Sequence, residues 1–328
     1  MAQDQEWEGR ISRKLRLRDL HLVFVVAECG SMAKAAAKLG VTQSSVSQMI
    51  ADVEQRLGVR LFDRSRRGVE PTIYGQVLIR QGKTAFDELR HGLQEIDYLK
   101  NEGTGEIRIG CPETLAASVL PAAIETFSRR WPGVLLDVET FTGTAAAAKL
   151  RERNIDLVFA RDGPGLEALA ASDEFEITKL FEDRLRVVVG ANSRWAALKR
   201  ADLADIADAP WIVLPYGWGK EVIPNAFRLR GLPPPHVALK TFSIHLRLHL
   251  LMTGRFVTAL PASVLRLYRD PFDLKELPIE LPKGPYGVAI VTLKNRTLSP
   301  VVEHFIRSTA AQFEMPSRRG AKSRVPVV

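Results

Sequence analysis

The sequence predicts a chain of two unlike parts, a helical N-terminal region and a larger α/β region, joined by one long helix. Apolar residues recur at helical spacing from residue 17 to residue 100. After Gly105, short apolar strands alternate with helical stretches, which is the pattern of βαβ units and a mainly parallel sheet. At 328 residues the chain is long enough for at least two domains. The predicted fold class is therefore α/β with an all-α N-terminal domain.

The composition is that of an ordinary globular protein. Hydrophobic residues make up 46% and charged residues 26% of the chain, which excludes a wholly disordered or collagen-like protein. No apolar run approaches the ~18 residues that cross a bilayer, and the acidic start lacks the order of a signal peptide. Two cysteines, Cys29 and Cys111, are too few for a disulfide framework or a four-cysteine zinc site. We expect a cytoplasmic protein with no membrane partner and no cofactor.

Positive charge is concentrated at the two ends of the chain. The formal net charge is +8 and the isoelectric point is about 9.6. Between Arg10 and Lys83, 14 lysines and arginines stand against 6 acidic residues. The stretch after Met315 adds four basic residues and no acid, and we expect residues 315–328 to be a basic flexible tail. This distribution predicts that a polyanion binds the N-terminal region.

Glycines end, and hydroxyl residues begin, a series of short helices near the N-terminus. The predicted helices cover residues 17–27, 32–39 and 42–57. Ser31 and Thr42 are the expected N-caps, while Gly30, Gly40 and Gly58 are the expected stops. A helix, a short glycine turn and a second helix together indicate a helix-turn-helix motif.

The helix that begins after Thr42 separates an apolar face from a polar one. Its apolar stripe consists of Val46, Ile50, Val53 and Leu57. Its exposed N-terminal half carries uncharged amides and hydroxyls, namely Gln43, Ser44, Ser45, Ser47 and Gln48. Such groups suit base edges in a major groove. An ordinary capped surface helix can also present such a face, so it is the whole motif that favours DNA.

A basic hairpin follows this helix. Residues 60–64 are a predicted strand, residues 65–68 a turn, and residues 69–72 the returning strand. Its arginines are Arg60, Arg64, Arg66 and Arg67. A basic hairpin beside a reading helix is typical of a wing that contacts phosphates.

One helix is predicted over residues 74–100, followed by a hinge over residues 101–105. Its apolar stripe is imperfect, being weakened at Gln81 and Gly92, and consists of Tyr74, Leu78, Ala85, Leu89, Ile96 and Leu99. A long exposed helix cannot bury such a stripe alone, so a second copy of the chain is the expected partner. Packing against its own domain is the alternative.

The C-terminal region contains too many strands for one compact lobe. The predicted strands are 106–110, 134–139, 157–160, 185–190, 211–214, 237–242, 256–260 and 288–293. The predicted helices are 114–131, 145–153, 220–230, 244–252 and 300–313. We expect lobe I to comprise about 106–162 and 268–314, lobe II about 163–267, and a cleft to lie between them.

The stretch from Leu15 to Thr72 resembles the winged helix-turn-helix domain of LysR-type transcriptional regulators. The resemblance is carried by the ordered runs 30–48 (GSMAKAAAKLGVTQSSVSQ) and 57–64 (LGVRLFDR). Members of this family commonly have proline where Ser44 stands and often arginine where Gln48 stands, so the operator sequence stays open. The same order of domains continues over nearly the whole chain.

The resemblance implies a winged helix-turn-helix domain over 15–73, a dimerisation helix over 74–100 and a two-lobed effector domain of periplasmic-binding-protein type over 106–314. It also implies a sequence-specific regulator rather than an enzyme. The implied partners are double-stranded promoter DNA, a small-molecule effector, RNA polymerase and further copies of the chain, as a homodimer or a homotetramer formed by two dimers.

By the same resemblance, particular residues are assigned to two sites. The DNA-binding set is Ser31, Thr42, Gln43, Ser44, Ser45, Ser47, Gln48, Arg64, Arg66, Arg67 and Thr72. The effector-binding set is Pro112, Glu113, Thr114, Thr142, Gly143, Thr144, Pro215 and Tyr216. These effector residues also follow predicted strands, where open parallel sheets bind ligands. Amides at a helix start suit an anion, but Glu113 would repel one, so a neutral, hydroxyl-rich or aromatic effector is equally consistent.

Several further patterns have simpler explanations. Trp211, Tyr216, Trp218 and Phe242 could stack on a ligand, but core packing is the better explanation. His245 and His249 have metal-ligand spacing, but with no third ligand nearby and leucines around them we predict packing and no metal. Cys111 could take part in redox sensing, but packing is the better explanation.

Two other classes of protein remain as alternatives. One is a solute-binding protein or enzyme built on the two-lobed part of the chain. The other is an architectural DNA binder that has no effector.

Overall fold

The structure, a computed structural model, describes residues 14–65, 68–100, 103–141, 145–161, 164–215, 219–282 and 284–313. The chain forms two compact units, residues 1–90 and residues 91–328. The predicted tail over 315–328 lies outside the described residues. The long fourth helix begins in the first unit and ends in the second.

The N-terminal unit is built from short helices and one hairpin, as predicted. Its elements are α1 (Leu17–Cys29), α2 (Met32–Leu39), α3 (Gln43–Leu57), β1 (Phe62–Ser65), β2 (Gly68–Pro71) and the first part of α4 (Ile73–Lys100). The predicted stripe of α3 is confirmed, since Val46, Ile50 and Val53 are fully buried against α1 and α2. Gly30 ends α1 in the left-handed region, at φ 58°, which glycine adopts without the steric penalty of a side chain.

The hairpin is fixed to the helices by bonds at both of its strands. On β2, the backbone N–H of Val69 donates to the carbonyl oxygen of Gly30 at 2.9 Å. At β1, two backbone N–H groups donate to the Glu54 carboxylate of α3. They belong to Leu61, just before the strand, at 2.7 Å, and to Phe62, its first residue, at 3.1 Å. Glu54, a residue that the sequence analysis did not single out, therefore holds α3 and the hairpin in one arrangement.

Helix α4 combines a buried side with a long exposed apolar side. A Cβ atom at Gly82 would lie 2.8 Å from the ring of Phe24, so the absence of a side chain lets α1 cross closely. The exposed apolar residues along α4 are Ile73, Tyr74, Val77, Leu89, Leu93 and Ile96. Leu78, predicted for the exposed stripe, instead packs partly buried against the N-terminal core. The side chain of Leu99 lies outside the description.

The C-terminal unit contains two five-stranded sheets, which define lobe I and lobe II. The strands are β3 (Thr104–Cys111), β4 (Gly133–Thr140), β5 (Leu157–Arg161), β6 (Phe175–Asp183), β7 (Leu185–Gly190), β8 (Trp211–Val213), β9 (Val237–Lys240), β10 (Val257–Pro261), β11 (Leu274–Glu276) and β12 (Tyr286–Leu293). Lobe I has the strand order β4-β3-β5-β12-β6, and lobe II has the order β11-β7-β10-β8-β9.

Helices cover both faces of each sheet. They are α5 (Glu113–Ala116), α6 (Leu120–Arg130), α7 (Ala146–Arg151), α8 (Pro164–Ala170), α9 (Gly219–Leu229), α10 (Ile244–Met252), α11 (Ala262–Tyr268) and α12 (Pro300–Phe313). In lobe I, Leu157 and Phe159 of β5 face the core under α6 and α12, while Val158 and Ala160 face the core under α7 and α8. This alternation explains the unbroken apolar run of β5.

Four predictions about this unit need correction. The sheets are mixed rather than mainly parallel, because β12 runs antiparallel to β5 and β6, and β7 runs antiparallel to β10 and β11. The helix predicted over 114–131 is two helices, α5 and α6, with Pro121 in the first turn of α6, where its missing N–H leaves no bond unmade. The predicted hinge ends early, because Thr104 and Gly105 already belong to β3.

The fourth correction concerns the bounds of the lobes. Strand β6 falls in the range predicted for lobe II, yet it pairs with β12 in lobe I, and the chain crosses over at Arg184. Strand β11 falls in the range predicted for lobe I, yet it pairs with β7 in lobe II. Alternation of strands and helices along the chain does not reveal such antiparallel returns.

A buried charge network lies within lobe I. The Asp156 carboxylate accepts from the guanidinium of Arg108 at 2.7 Å and from that of Arg296 at 2.6 Å. Arg296 is also 3.2 Å from the imidazole of His91, at the end of α4 that belongs to this unit. Burial alone would raise the pKa of Asp156, but the hydrogen bond from Arg108 and the two positive charges lower it below its usual value.

Two kinds of feature are absent from the described ranges. None of the helices there combines the length and the apolar character that a membrane crossing requires. No group of three or more histidine, cysteine or acidic side chains in those ranges is placed to hold a metal ion.

Candidate functional site

The start of α3 is organised by Thr42. Its Oγ1 accepts the backbone N–H of Ser45 at 3.2 Å and lies 2.9 Å from Ser44 Oγ and 2.8 Å from Ser45 Oγ. This is an N-cap with two further hydroxyls bonded to it. The hydroxyls of the first turn are therefore positioned before any ligand arrives.

The outward face of α3 is polar and uncharged over its first two turns. Gln43, Ser44, Ser45 and Gln48 are exposed, and Ser47 is half-buried. Gln48 donates its amide N–H to Asp52 Oδ1 at 2.8 Å, which leaves its carbonyl oxygen directed away from that bond. Gln43 has both an amide donor and an acceptor to offer, which is the pair of groups that reads adenine in a major groove.

Exposed arginines follow α3 in the hairpin region. Arg60 and Arg64 are exposed and form no ion pair with any described residue. By contrast, Arg56 of α3 is bonded to Asp19 at 2.8 Å. The guanidinium groups of Arg60 and Arg64 are therefore available for phosphates. Arg66 and Arg67, predicted for the wing, lie outside the described residues.

Two further residues of the predicted DNA-binding set, besides Thr42, have hydroxyls engaged in capping. Ser31 Oγ accepts the N–H of Lys34 at 3.5 Å at the start of α2. Thr72 Oγ1 donates to the carbonyl oxygen of Arg60 at 2.7 Å and accepts the N–H of Gly75 at 3.2 Å. These bonds fix the starts of α2 and α4. Direct contacts of Ser31 and Thr72 with DNA stay a prediction.

The predicted effector residues that the structure describes lie at strand ends, as expected. Pro112 precedes α5 directly after β3, and Pro215 is half-buried just after β8. The carbonyl oxygen of Thr114 accepts the Ser118 hydroxyl at 2.6 Å. Thr142, Gly143, Thr144 and Tyr216 lie outside the described residues, as does Trp218.

The side chain of Glu113 bonds to another helix and not to the start of its own helix, α5. Its Oε1 accepts the backbone N–H of Ile244, the first residue of α10, at 2.8 Å. The bond runs from lobe I to lobe II, and Glu113 is half-buried. Because this carboxylate is bonded to the helix of the opposite lobe, the repulsion that we expected between Glu113 and an anion at α5 no longer follows.

A second polar bridge joins the lobes through residues that the sequence analysis missed. Ser118 Oγ of lobe I lies 3.3 Å from Ser263 Oγ of lobe II. Ser263 also donates from its hydroxyl to Asp183 Oδ2 at 2.7 Å, and Arg161 Nη1 donates to the same oxygen at 3.2 Å. Arg161 directly follows a predicted strand, so the reasoning that selected residues 112–114 could have found it.

Arg161 is held largely out of water. Burial lowers its pKa, while the charge and hydrogen bond of Asp183 act in the opposite direction. Its Nη2 is buried and has no hydrogen-bond partner among the residues that the structure describes. This cluster is thus a tightly packed junction between lobes rather than an open surface.

Three residues with alternative explanations are now placed. Trp211 is fully buried and packs edge-on against Phe227, with ring centroids 5.8 Å apart, so it is a core residue. The ring of His249 packs edge-on against Phe272 at 5.3 Å, which agrees with packing. Cys111 is fully buried in lobe I, and burial raises the pKa of its thiol to about 12. A thiol of that pKa is not a reactive thiolate at neutral pH, which favours packing over redox sensing.

Comparison with known protein families assigns the two units. Residues 17–76 match the model of the bacterial regulatory helix-turn-helix protein, lysR family. Residues 100–314 match the model of the LysR substrate binding domain. Together these matches cover both of the predicted domains and most of the chain.

Relatives of known name are similar over almost their full length. The HTH-type transcriptional regulator GbpR of Azospirillum brasilense is 27% identical over 320 residues, which cover 96% of this chain and 92% of that protein. The transcriptional dual regulator GltC of Bacillus subtilis is 29% identical over 294 residues, covering 89% and 95%. The matched relatives are regulators rather than enzymes.

Solved structures share the fold. Full-length CbnR complexed with its target DNA has a TM-score of 0.64 at 22% identity, covering 90% of this chain and 99% of that one. A full-length OxyR variant from Pseudomonas aeruginosa also has a TM-score of 0.64, at 21% identity, covering 92% and 96%. The order of domains predicted from the sequence is therefore found in known structures.

Proposed function

Because this chain belongs to the LysR family of transcriptional regulators, we propose that it binds specific promoter DNA through α3 and the hairpin, under control of a small molecule held between lobes I and II. The observation that carries the proposal is the exposed amide and hydroxyl face of α3, together with the exposed Arg60 and Arg64 that follow this helix in the chain. Uncharged groups read bases, while the arginines neutralise phosphates. The similar protein CbnR has been solved in complex with its target DNA, which supports DNA binding by this chain.

The effector belongs between the lobes because polar groups from both lobes meet there. Glu113 and Ser118 of lobe I face Ile244 and Ser263 of lobe II. We propose that the residues after β3 and β8, with Thr142, Gly143, Thr144 and Tyr216, complete the site. A molecule bound to both lobes would favour one lobe arrangement over another, which is what control by a ligand requires.

Self-association is the third part of the proposal. The exposed apolar residues of α4 favour pairing with a second copy, since an isolated helix gains nothing by exposing them to water. A dimer, or a tetramer of two dimers, would present two reading helices to two half-sites. Contact with RNA polymerase is proposed by family analogy alone.

The test of DNA recognition is fluorescence anisotropy on a duplex taken from upstream of the gene and on a scrambled duplex. Gln43→Ala is expected to weaken binding to the first duplex by about 1–3 kcal/mol and to leave the second nearly unchanged, because it removes a base contact. Gln55→Ala, an exposed glutamine in the C-terminal half of the same helix, is the matched control and should bind like the wild type.

Arg64→Ala provides the complementary result. It is expected to weaken binding to both duplexes about equally and to reduce the slope of log K against log salt by about 1, because it removes one phosphate contact. If Gln43→Ala and Arg64→Ala weakened both duplexes equally, the division into base-reading and phosphate-binding residues would be wrong.

A further inference from the structure

Arg247 of α10 is a deeply buried cation with no acidic partner among the described residues. Its side chain is only 3% exposed. One terminal nitrogen donates to Thr258 Oγ1 at 2.9 Å and to the carbonyl oxygen of Ala259, while Nε has no partner in the described part of the chain. Within the described residues no carboxylate approaches this guanidinium to ion-pair distance. The buried arginines of lobe I differ, since Arg161 and Arg296 each pair with an aspartate.

The charge of Arg247 persists at neutral pH. Burial lowers its pKa to about 10, and the negative charge of Glu113 acts in the opposite direction. At neutral pH the group is therefore protonated, and lobe II contains a positive charge that neutral hydrogen-bond acceptors only partly stabilise. A buried charge in this state is unfavourable unless an anion stands nearby.

The nearby anion is supplied by the opposite lobe. Glu113 Oε1 accepts the N–H of Ile244 at 2.8 Å, so a carboxylate already occupies the start of α10. Arg247 is the fourth residue of α10 and so belongs to this first turn. Its guanidinium is bonded on β10, and its buried positive charge attracts the Glu113 carboxylate. The helix dipole adds to the attraction, and Ser243 caps the turn by accepting the N–H of Leu246 at 3.3 Å. Three features thus favour an anion at one place.

We propose that the first turn of α10, backed by Arg247, is a carboxylate-binding site of lobe II, that Glu113 fills it when no effector is bound, and that the effector carries a carboxylate that replaces Glu113. The inference rests on the proposed control by an effector. Glu113 is only half-buried, so it can leave the turn by rotating its own side chain. Departure without replacement would leave Arg247 uncompensated, and a neutral effector would not remedy this.

The exchange ties ligand binding to lobe arrangement in one step. The bond from Glu113 to Ile244 joins lobe I to lobe II, and an incoming carboxylate breaks it while preserving the charge balance of lobe II. The ligand then binds only the arrangement in which Glu113 is displaced, and this difference in affinity is what shifts a population. Of the effector classes considered from the sequence, this exchange selects small organic anions.

The test is chemical rescue with acetate as the probe. Glu113→Ala removes the carboxylate and leaves room for acetate, so its melting temperature in the full chain should be lower than that of the wild type. Sodium acetate, added at constant ionic strength, should raise the variant's midpoint by about 3 °C. The wild type should hardly respond, because its site is filled. Acetamide, which has the same shape but no charge, should rescue neither protein.

A second pair of variants keeps the result decisive. In Glu113→Ala/Arg247→Met the response to acetate should disappear, since the buried charge is gone. If Glu113→Ala does not fold, Glu113→Gln serves instead: its uncharged side chain competes less well, so calorimetry should show acetate binding at least about tenfold more tightly than to the wild type. Equal acetate responses in wild type and variant, equal rescue by acetamide, or an undiminished response in the double variant would each overturn the inference.

These measurements involve no DNA and no natural effector. Failure of the proposed regulation would leave a positive acetate rescue standing. Failure of the rescue would leave DNA recognition by α3 untouched.

Discussion

At the scale of single residues, Asp156 holds together the most strongly buried charges of lobe I. It neutralises Arg296, whose side chain is completely buried, and Arg108 beside it. Asp156→Asn is expected to lower the free energy of unfolding by about 3–5 kcal/mol near neutral pH, because a guanidinium is left in the core without its counter-charge. Urea unfolding followed by tryptophan fluorescence measures the loss.

The ionisation of Asp156 also determines how the stability of the folded protein changes with pH. The pKa of Asp156 in the folded protein lies below its ordinary value of 3.8. Its contribution to stability is therefore fully present above that value and is lost as the pH falls through the folded-state pKa. The gap between wild type and Asp156→Asn should shrink in acid. Asp173→Asn, which breaks an exposed pair with Lys294, is the control and should leave stability unchanged.

At the scale of elements, α4 shows an apolar surface that water does not favour. Leu93 is 64% exposed on the same side as Leu89 and Ile96. Leu93→Glu would place a carboxylate in the pairing surface that we propose, so self-association should weaken at least about tenfold. Analytical ultracentrifugation measures this. Asp97→Ala, which also changes one charge at an exposed position, is the control, and equal behaviour of the two variants would argue that α4 is not the contact.

The elements that the sequence predicted best are those with local signals. Helices α1 to α3 are bounded by glycines in the left-handed region and by the caps Ser31 and Thr42, all visible in the sequence. Strand β6 was missed because its exposed residues, Glu176, Lys179 and Glu182, recur at every third position and not at every second. A bulge at Leu180 interrupts its pairing, and its partner β12 lies far along the chain. The break between α5 and α6 was missed because apolar residues continue through it.

At the scale of the whole molecule, effector binding should change the DNA complex. We expect a compound that raises the melting temperature in a metabolite screen to alter both the DNase I footprint and the bend angle of the bound promoter. The reason is that α4 runs from the N-terminal unit into the C-terminal unit without interruption. An unchanged footprint and bend would contradict the coupling, and a protein that no metabolite stabilises would instead suit an architectural DNA binder.

The candidate site residues also differ in whether the sequence could reveal them, according to how close they lie to one another along the chain. The polar face of α3 was predictable, since five of its residues lie within six positions of one another. The junction of Arg161, Asp183 and Ser263 was not, because these residues come from β5, β6 and α11 and meet only through the crossover between lobes. Glu113 was placed at the right turn, but its bond to α10 depends on how the lobes close.

The position of β12 has a consequence for synthesis on the ribosome. Lobe I is finished only when residues 286–293 insert between β5 and β6 and α12 covers the sheet. All strands of lobe II are translated before β12, so they can pair while the earlier strands of lobe I still lack β12. A nascent chain that stops short of β12 would therefore expose two unsatisfied strand edges, making it a natural substrate for chaperones and proteases.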